Sequence, residues 1–121
     1  MLDVAHNPDG IRSLVETMEL VSLPRPLAAV LGVLRDKDWR AMMRIICPFV
    51  DFTILTAPPS APASRAWDPS DALRFATENG WNANVVADIE EALREAEQNC
   101  STVVITGSFH TVGDSLKEIR T

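Results

Sequence analysis

Apolar residues along the chain fall into two alternating patterns, short continuous runs and longer stretches with helical spacing. Five runs have the length of strands, at 1–5, 27–31, 52–56, 83–86 and 102–106. Between them, apolar residues recur at intervals of three and four, as on one face of a helix. Runs that are apolar throughout are typical of strands covered on both faces, as in a parallel sheet. The pattern therefore predicts strands and helices in alternation.

Local signals place the ends of several predicted helices. Asp68 followed by Pro69 is typical of a helix start, because an aspartate caps the first amides and proline suits the first helical position. Gly80 suits a left-handed residue after that helix. Asp88 with Glu91 three residues later resembles a capping box. The last helix is predicted to follow Gly107, and its apolar face is expected to contain Val112, Leu116 and Ile119.

The number and order of these elements predict one architecture. A chain of 121 residues has the usual size of a single domain, so we expect one domain over 1–121. Right-handed crossovers place helices on both faces of a parallel sheet. The sequence therefore predicts an α/β fold, a three-layer α/β/α sandwich with a mostly parallel sheet, about five strands and five helices. Because the chain begins inside a predicted strand, we expect a fragment excised from a longer protein.

Composition and charge exclude some classes of partner. The net charge is −6, whereas a nucleic-acid-binding protein usually has a basic face, so no nucleic-acid partner is expected. No apolar run approaches the ~18 residues of a membrane helix, and no secretory pattern opens the chain. Cys47 and Cys100 lack the CxxC spacing and are interpreted as free thiols of a cytoplasmic protein.

Candidate ligand-binding residues lie in the loops that follow the predicted strands, because parallel sheets bind ligands at the carboxyl ends of their strands. In the first loop, Asp3, His6 and Asn7 stand where a strand leads into a helix, whose amides favour an anion. Two interpretations stay open. The three side chains could bind a ligand, or Asn7 could simply cap the helix while His6 hydrogen-bonds the loop.

The later loops carry further candidates with similar alternatives. Ser108 could bind a carboxylate or cap the last helix, and His110 is interpreted as a surface or capping residue. Lys37 could reach an anionic substrate or belong to a solvated turn. Arg65, near Trp67, could hold an anionic group or pack the loop. Two histidines without a clustered carboxylate predict no metal site.

Four motifs in a fixed order carry a family resemblance. They are LDVAHNP at 2–8, LGVLRDKD at 31–38, SRA at 64–66 and TGSFHTVG at 106–113. With these motifs the chain resembles the carboxy-terminal domain of folylpolyglutamate synthase/dihydrofolate synthase, in the Mur ligase superfamily. The resemblance covers nearly the whole chain and implies a Rossmann-like domain.

The resemblance implies a function and roles for individual residues. Such ligases use ATP and Mg to add L-glutamate to folate or dihydropteroate through an acyl phosphate. By resemblance, Asp3 and Asn7 would contact the nucleotide, and His6 would act in catalysis and substrate binding. Ser108, Lys37 and Arg65 would be further substrate-binding residues. The N-terminal ATP-binding domain, which holds most of the ATP and Mg contacts, is missing, so we expect the isolated chain to be inactive.

Two alternatives remain at this stage. Another Mur-type amide ligase would share the first motif, and the GSFHTVG motif at 107–113 favours the folate branch. A non-catalytic, flavodoxin-like binding module would have the same fold without a second domain. The sequence leaves open whether the parent enzyme acts on dihydropteroate, on folate or on both.

Overall fold

The computed structural model describes residues 1–120, and their side chains apart from those of Phe109, Glu118, Ile119 and Arg120. In this part of the chain, five helices alternate with four strands. In chain order they are α1 (Pro8–Val21), β1 (Leu27–Leu31), α2 (Trp39–Ile46), β2 (Phe52–Leu55), α3 (Pro69–Glu78), β3 (Ala83–Val85), α4 (Ile89–Asn99), β4 (Thr102–Thr106) and α5 (Phe109–Arg120). The predicted bounds of β1 and β4 are confirmed, and β2 and β3 each end one residue earlier than predicted.

The four strands form one parallel sheet in the order β3-β2-β1-β4. Residues of α1, α2 and α3 pack in one hydrophobic core with alternate residues of β1, such as Ala29 and Leu31. The other residues of that strand, Ala28 and Val30, pack against α4 in a second core, and α5 contacts α4 and β4. The predicted three-layer sandwich is confirmed.

The first predicted strand forms only an isolated bridge. Leu2 pairs in parallel with Ile105 of β4, and the amide of Asp3 donates to the Ile105 carbonyl at 3.0 Å. The Asp3 carboxylate then accepts the amide of Ala5 at 2.8 Å. Such a local side-chain bond competes with a regular ladder. The described residues therefore contain four strands and one bridge, close to the predicted count of about five strands.

The predicted helix ends are confirmed by hydrogen bonds. The carboxylate of Asp68 accepts the amide of Ser70 at 2.9 Å, and that of Asp88 accepts the amide of Glu91 at 3.1 Å. Gly80 follows α3 with a φ of +73°. On α5, Val112 is buried and Leu116 half-buried. The third residue predicted for that face, Ile119, lies outside the described side chains.

Aromatic rings tie the proline-rich loop at 57–66 to the core. Trp67 follows this loop, is buried, and donates its indole N–H to the Thr56 carbonyl at 2.8 Å. Its ring meets the Trp39 ring edge to face, with 5.8 Å between the centroids. Trp39 makes a similar contact with Phe75. A buried indole needs a partner for its N–H, so this arrangement anchors both ends of the loop.

The loops after β1 and β4 approach each other closely where the topology reverses. The chain leaves β1 toward α2 on one face of the sheet and leaves β4 toward α5 on the other, which opens a crevice between the two strand ends. A Cβ atom on Gly107 would clash with the Gly32 carbonyl oxygen, and Gly107 has a φ of +116°. Glycine is therefore required at 107, and the two loops form one surface.

Candidate functional site

A cleft of about 230 Å³ opens at the carboxyl ends of the strands. Its lining residues are His6, Leu34, Lys37, Arg65, Ser108 and His110. The structure thus brings together His6, Lys37, Arg65 and Ser108, the four substrate-binding residues predicted from three different loops and the start of α5. Leu34 and His110 also line the cleft and were not predicted as ligand contacts.

Asp3 and Asn7, the predicted nucleotide contacts, are engaged with the backbone of the first loop. The Asn7 side chain accepts the Gly10 amide at 2.8 Å and so caps α1, as one of the two open interpretations had it. One oxygen of Asp3 accepts the Ala5 amide. Neither residue lines the cleft. Their contact with a nucleotide stays a prediction.

His6 combines both interpretations of the first loop. Its Nδ1 atom lies 3.3 Å from the Val4 carbonyl oxygen, within the loop, and the residue is half-buried and borders the cleft. Since the loop backbone positions one side of the ring, the imidazole is oriented before any ligand arrives. A group oriented in this way is suited to contact a bound substrate.

The second and third loops are joined beside the cleft. Leu34 and Ala66 form an antiparallel bridge, and the amide of Arg35 donates to the Arg65 carbonyl at 2.8 Å. The Arg65 guanidinium lies 3.1 Å from the Asp36 carboxylate and lowers the pKa of that carboxyl below its ordinary value. This pairing holds Arg65 at the cleft, although the Asp36 carboxylate already offsets its charge.

Lys37 is the second cation of the cleft. Its amide donates to the Leu34 carbonyl at 3.1 Å, which closes the turn that precedes α2. Among the described residues, no carboxylate lies within ion-pairing distance of its ammonium group. Lys37 is therefore the cation with the greater capacity to bind an anionic ligand.

Ser108 caps α5, as the second interpretation of this residue had it. Its Oγ accepts the Thr111 amide at 3.1 Å and lies 3.0 Å from the Thr111 Oγ1. The Thr111 hydroxyl in turn donates to the Gly32 carbonyl at 2.7 Å. Because the Thr111 hydrogen is directed at Gly32, the Ser108 hydroxyl donates to Thr111. The only hydroxyl hydrogen of Ser108 is thus engaged with Thr111, and the amides at the start of α5 remain for an anion.

His110 lines the cleft because of contacts that are distant in sequence. Its Nδ1 atom lies 3.1 Å from the Oγ of Ser60, in the proline-rich loop. The Ser60 hydroxyl also lies 2.9 Å from the carboxylate of Asp114, on α5. The spacing of the last motif gave no sign of this cluster, since Ser60 precedes His110 by 50 residues.

The chemistry of the cleft suits a small anionic molecule. Two cations, two imidazoles and the start of α5 converge there, although the whole chain has a net charge of −6. Its volume lies just below the usual range of about 300–1,000 Å³ for drug-sized ligands. Within the described part of the chain, no three His, Cys, Asp or Glu side chains form a group able to hold a metal ion. Among residues 1–120, no helix has both the length and the apolar character needed to cross a membrane.

Comparison with known proteins identifies relatives of this chain. The family model described as Mur ligase, glutamate ligase domain matches residues 1–109. Folylpolyglutamate synthase from Lacticaseibacillus casei is 26% identical over 91% of this chain and 24% of its own length. Dihydrofolate synthase/folylpolyglutamate synthase from Escherichia coli is 29% identical over 98% of this chain and 27% of its own length. This chain thus spans about a quarter of the length of these relatives.

Solved structures give the same result. Escherichia coli FolC in complex with DHPP and ADP superposes with a TM-score of 0.84 at 26% identity, over 98% of this chain and 28% of that one. A Mycobacterium tuberculosis folylpolyglutamate synthase complexed with ADP and AMPPCP superposes with a TM-score of 0.82 at 29% identity. The match covers 95% of this chain and 28% of that one. The predicted resemblance to the carboxy-terminal domain of such enzymes is confirmed. The chain belongs to the Mur ligase family of glutamate ligase domains.

Proposed function

We propose that this chain is the carboxy-terminal domain of an ATP-dependent ligase that adds L-glutamate to folate or dihydropteroate through an acyl phosphate. The observation that carries the proposal is the convergence of His6, Lys37, Arg65 and Ser108 on one cleft at the carboxyl ends of the strands. In this enzyme the domain presents the amino acid, and a preceding ATP-binding domain presents the activated acid. Residues 1–121 alone are inactive in this proposal, because the ATP-binding domain lies outside them.

The lining residues match the groups of L-glutamate. The amino acid carries two carboxylates, and Lys37 and Arg65 supply two cations for them. The first amides of α5, the helix that Ser108 caps, add hydrogen-bond donors and dipole for one carboxylate. In this proposal His6, whose ring lies against the Val4 carbonyl of its own loop, contacts the substrate near the reacting group. Placement of the amine for attack, with water excluded by closure of the two domains, lowers the barrier to amide formation.

The nucleotide and its metal ion are bound chiefly outside this chain. Solved relatives are described with ADP and AMPPCP and with AMPPNP and a Mn ion. ATP, when bound, supplies the phosphoryl group that activates the acid. In this proposal the ATP-binding domain holds Mg²⁺. Asp3, with one carboxylate oxygen committed to Ala5, and the exposed Asn7 contact the nucleotide from this side.

The folate branch is favoured over another Mur-type amide ligase. The curated relatives that match are folylpolyglutamate synthases or dihydrofolate synthase/folylpolyglutamate synthases. A cytoplasmic enzyme agrees with the two free cysteines, buried Cys47 and half-buried Cys100. We assign L-glutamate, a folate or dihydropteroate, ATP and the enzyme's own N-terminal domain as its partners.

An NMR titration of the ¹⁵N-labelled chain with L-glutamate tests the amino-acid site. We expect amide shifts confined to the loops at 3–10, 32–38 and 107–113. Lys37→Met and Arg65→Gln should each raise the Kd about tenfold, because each removes a charge-assisted hydrogen bond. Arg94→Gln is the matched control, since Arg94 pairs with Glu90 on the exposed face of α4. Shifts elsewhere, or none at millimolar L-glutamate, would contradict binding by this domain.

A chimeric enzyme tests the activity. The corresponding quarter of the Escherichia coli relative is replaced by this chain, and ligation of L-glutamate to dihydropteroate and to folate is measured. We expect turnover by the chimera, loss of turnover with His6→Ala in the same chimera, and no turnover by this chain alone. Turnover by the isolated chain would contradict the need for a second domain. A folded chimera without activity would contradict the assignment to the folate branch.

A further inference from the structure

Ser60, His110 and Asp114 form a connected cluster between the proline-rich loop and α5. The Asp114 side chain is buried, with 6% of the residue exposed. One oxygen of the Asp114 carboxylate accepts two hydrogen bonds from Ser60, from the amide at 3.0 Å and from the hydroxyl at 2.9 Å. A buried carboxylate requires such donors, and here both come from a residue 54 positions away. These hydrogen bonds therefore hold Ser60, and with it the proline-rich loop, against α5.

The hydrogen atoms of this cluster determine which nitrogen of His110 is protonated. A serine hydroxyl has a single hydrogen, and a carboxylate only accepts. The Ser60 hydrogen is therefore directed at Asp114, and the Ser60 oxygen acts as acceptor in its 3.1 Å contact with His110 Nδ1. Nδ1 must then carry the proton, and in the neutral ring the lone pair lies on Nε2.

The other ring nitrogen is the one available to a ligand. His110 is half-buried and lines the cleft with His6, Lys37 and Ser108. Nδ1 is engaged with Ser60, and no described residue contributes a hydrogen bond to Nε2. The cleft thus combines cations, which suit carboxylates, with an acceptor at Nε2 of the neutral His110 ring, which suits an N–H group.

We propose that His110 binds the amino group of the amino-acid substrate through Nε2, and that Ser60 and Asp114 are positioning residues that hold its ring in the Nδ1–H form. This inference rests on the proposed function, because it assigns the amine to the same cleft that receives the carboxylates. An amine held by a hydrogen bond to Nε2 has its orientation fixed before it attacks, which is what a positioned nucleophile requires.

The tautomer is tested by ¹⁵N NMR of the histidine rings, at a pH where both rings are neutral. The chain has only two histidines, so His6→Gln assigns the remaining signals to His110. We expect a protonated Nδ1 and an unprotonated Nε2 in the wild type, and a switch to the Nε2–H form in Ser60→Ala. Ser64→Ala, which removes an exposed serine of the same loop, is the control. An Nε2–H ring in the wild type, or no switch in Ser60→Ala, would overturn the proposal.

The amine contact is tested with L-glutamate and glutarate, which has both carboxylates but no amino group. We expect the ratio of the two Kd values to change about fivefold in Ser60→Ala and in His110→Phe, because only L-glutamate loses a hydrogen bond. Ser64→Ala should leave the ratio unchanged. Equal weakening of both ligands would overturn the amine contact alone. Binding of neither ligand by the wild type would overturn the amino-acid site and the role of His110 with it.

Discussion

The sheet has one depression at the amino ends of its strands, the amino edge, and another at their carboxyl ends, the carboxyl edge. The larger of these two depressions is not the candidate site. The depression at the amino ends measures about 420 Å³, against about 230 Å³ for the cleft at the carboxyl ends. Its lining residues are Pro26, Asp51, Phe52, Asn82, Glu95, Asn99 and Cys100. Its two charged groups are carboxylates, whereas the carboxyl-end cleft gathers two cations and two imidazoles. Volume alone therefore does not identify a binding site in this fold.

The two depressions differ in whether their polar side chains are already hydrogen-bonded within the protein. At the amino edge, one Asp51 oxygen accepts the amide of Leu27 at 2.7 Å and the Arg25 guanidinium at 2.9 Å. The Leu27 amide, and to a smaller extent the Arg25 side chain, lowers the pKa of Asp51. These bonds join the start of β1 to the start of β2. At the amino edge, Asp51 stabilises the fold through these bonds. At the carboxyl edge, the Lys37 ammonium and Nε2 of His110 are available to bind a ligand.

The largest expected effect on stability comes from a substitution at Gly107, which separates the two loops that meet at the carboxyl edge. Gly107→Ala places a Cβ atom against the Gly32 carbonyl in a backbone conformation with a φ of +116°. We expect a loss of about 3 kcal/mol in the free energy of unfolding, from backbone strain and overpacking. Urea denaturation followed by circular dichroism measures the loss, and L-glutamate binding should be lost with it.

Gly113→Ala is the matched control, because Gly113 lies within α5 and a Cβ atom there meets nothing within 4 Å. Replacement of a helical glycine by alanine should stabilise the chain by about 0.5–1 kcal/mol. Similar losses from both substitutions would contradict a special role for the contact between Gly107 and Gly32.

A smaller effect is expected from Asp51→Ala at the amino edge. The buried Leu27 loses the acceptor of its amide, which should cost about 1 kcal/mol at neutral pH, while the exposed pair with Arg25 adds little. Since the folded pKa of Asp51 is lowered, its contribution is present above the ordinary pKa of about 3.8 and is lost as the pH falls through the folded value.

The difference in unfolding free energy between wild type and Asp51→Ala should therefore shrink below about pH 4. L-glutamate binding at neutral pH should be unchanged, because Asp51 lies at the opposite edge. A variant that binds L-glutamate more weakly without unfolding would contradict the separation of the two edges.

The smallest expected effect comes from Thr106→Val, at the end of β4. The Thr106 hydroxyl is fully buried and has no hydrogen-bond partner among the described residues. Valine has nearly the same shape without the polar atom, so we expect a gain of about 1 kcal/mol in the free energy of unfolding. Thermal unfolding by calorimetry detects the gain. A loss of stability would show that the hydroxyl has a partner, such as a buried water molecule.

Much of the fold could be predicted because short-range patterns determine it. The continuous apolar runs gave the bounds of β1 and β4, and the residues at Asp68 and Asp88 cap α3 and α4 as their side-chain chemistry requires. The N-terminal segment at 1–5 lies along β4 as a single bridge at Leu2 and not as a regular strand. The Asp3 carboxylate accepts the Ala5 amide, which would otherwise be available to a ladder partner.

Two signals predicted the candidate site: the tendency of parallel sheets to bind ligands at the carboxyl ends of their strands, and the four family motifs. Both identified His6, Lys37 and Ser108, since each lies in a motif that follows a strand. Neither identified His110 as a cleft residue, because its partner Ser60 lies in the proline-rich loop, whose path depends on tertiary contacts. The hydroxyl network of Ser108 and Thr111 likewise depends on the close approach of Gly32, which no local pattern encodes.

The position of Trp67 at the end of the proline-rich loop gives the molecule an intrinsic optical signal. The chain contains three tryptophans and no tyrosine, so indole rings dominate its ultraviolet emission. Trp67 lies two residues after Arg65 and hydrogen-bonds Thr56, and its ring is in edge contact with Trp39. We expect a ligand bound at Arg65 to change the surroundings of the Trp67 ring. Fluorescence or near-ultraviolet circular dichroism of the unlabelled protein would then report occupancy of the cleft.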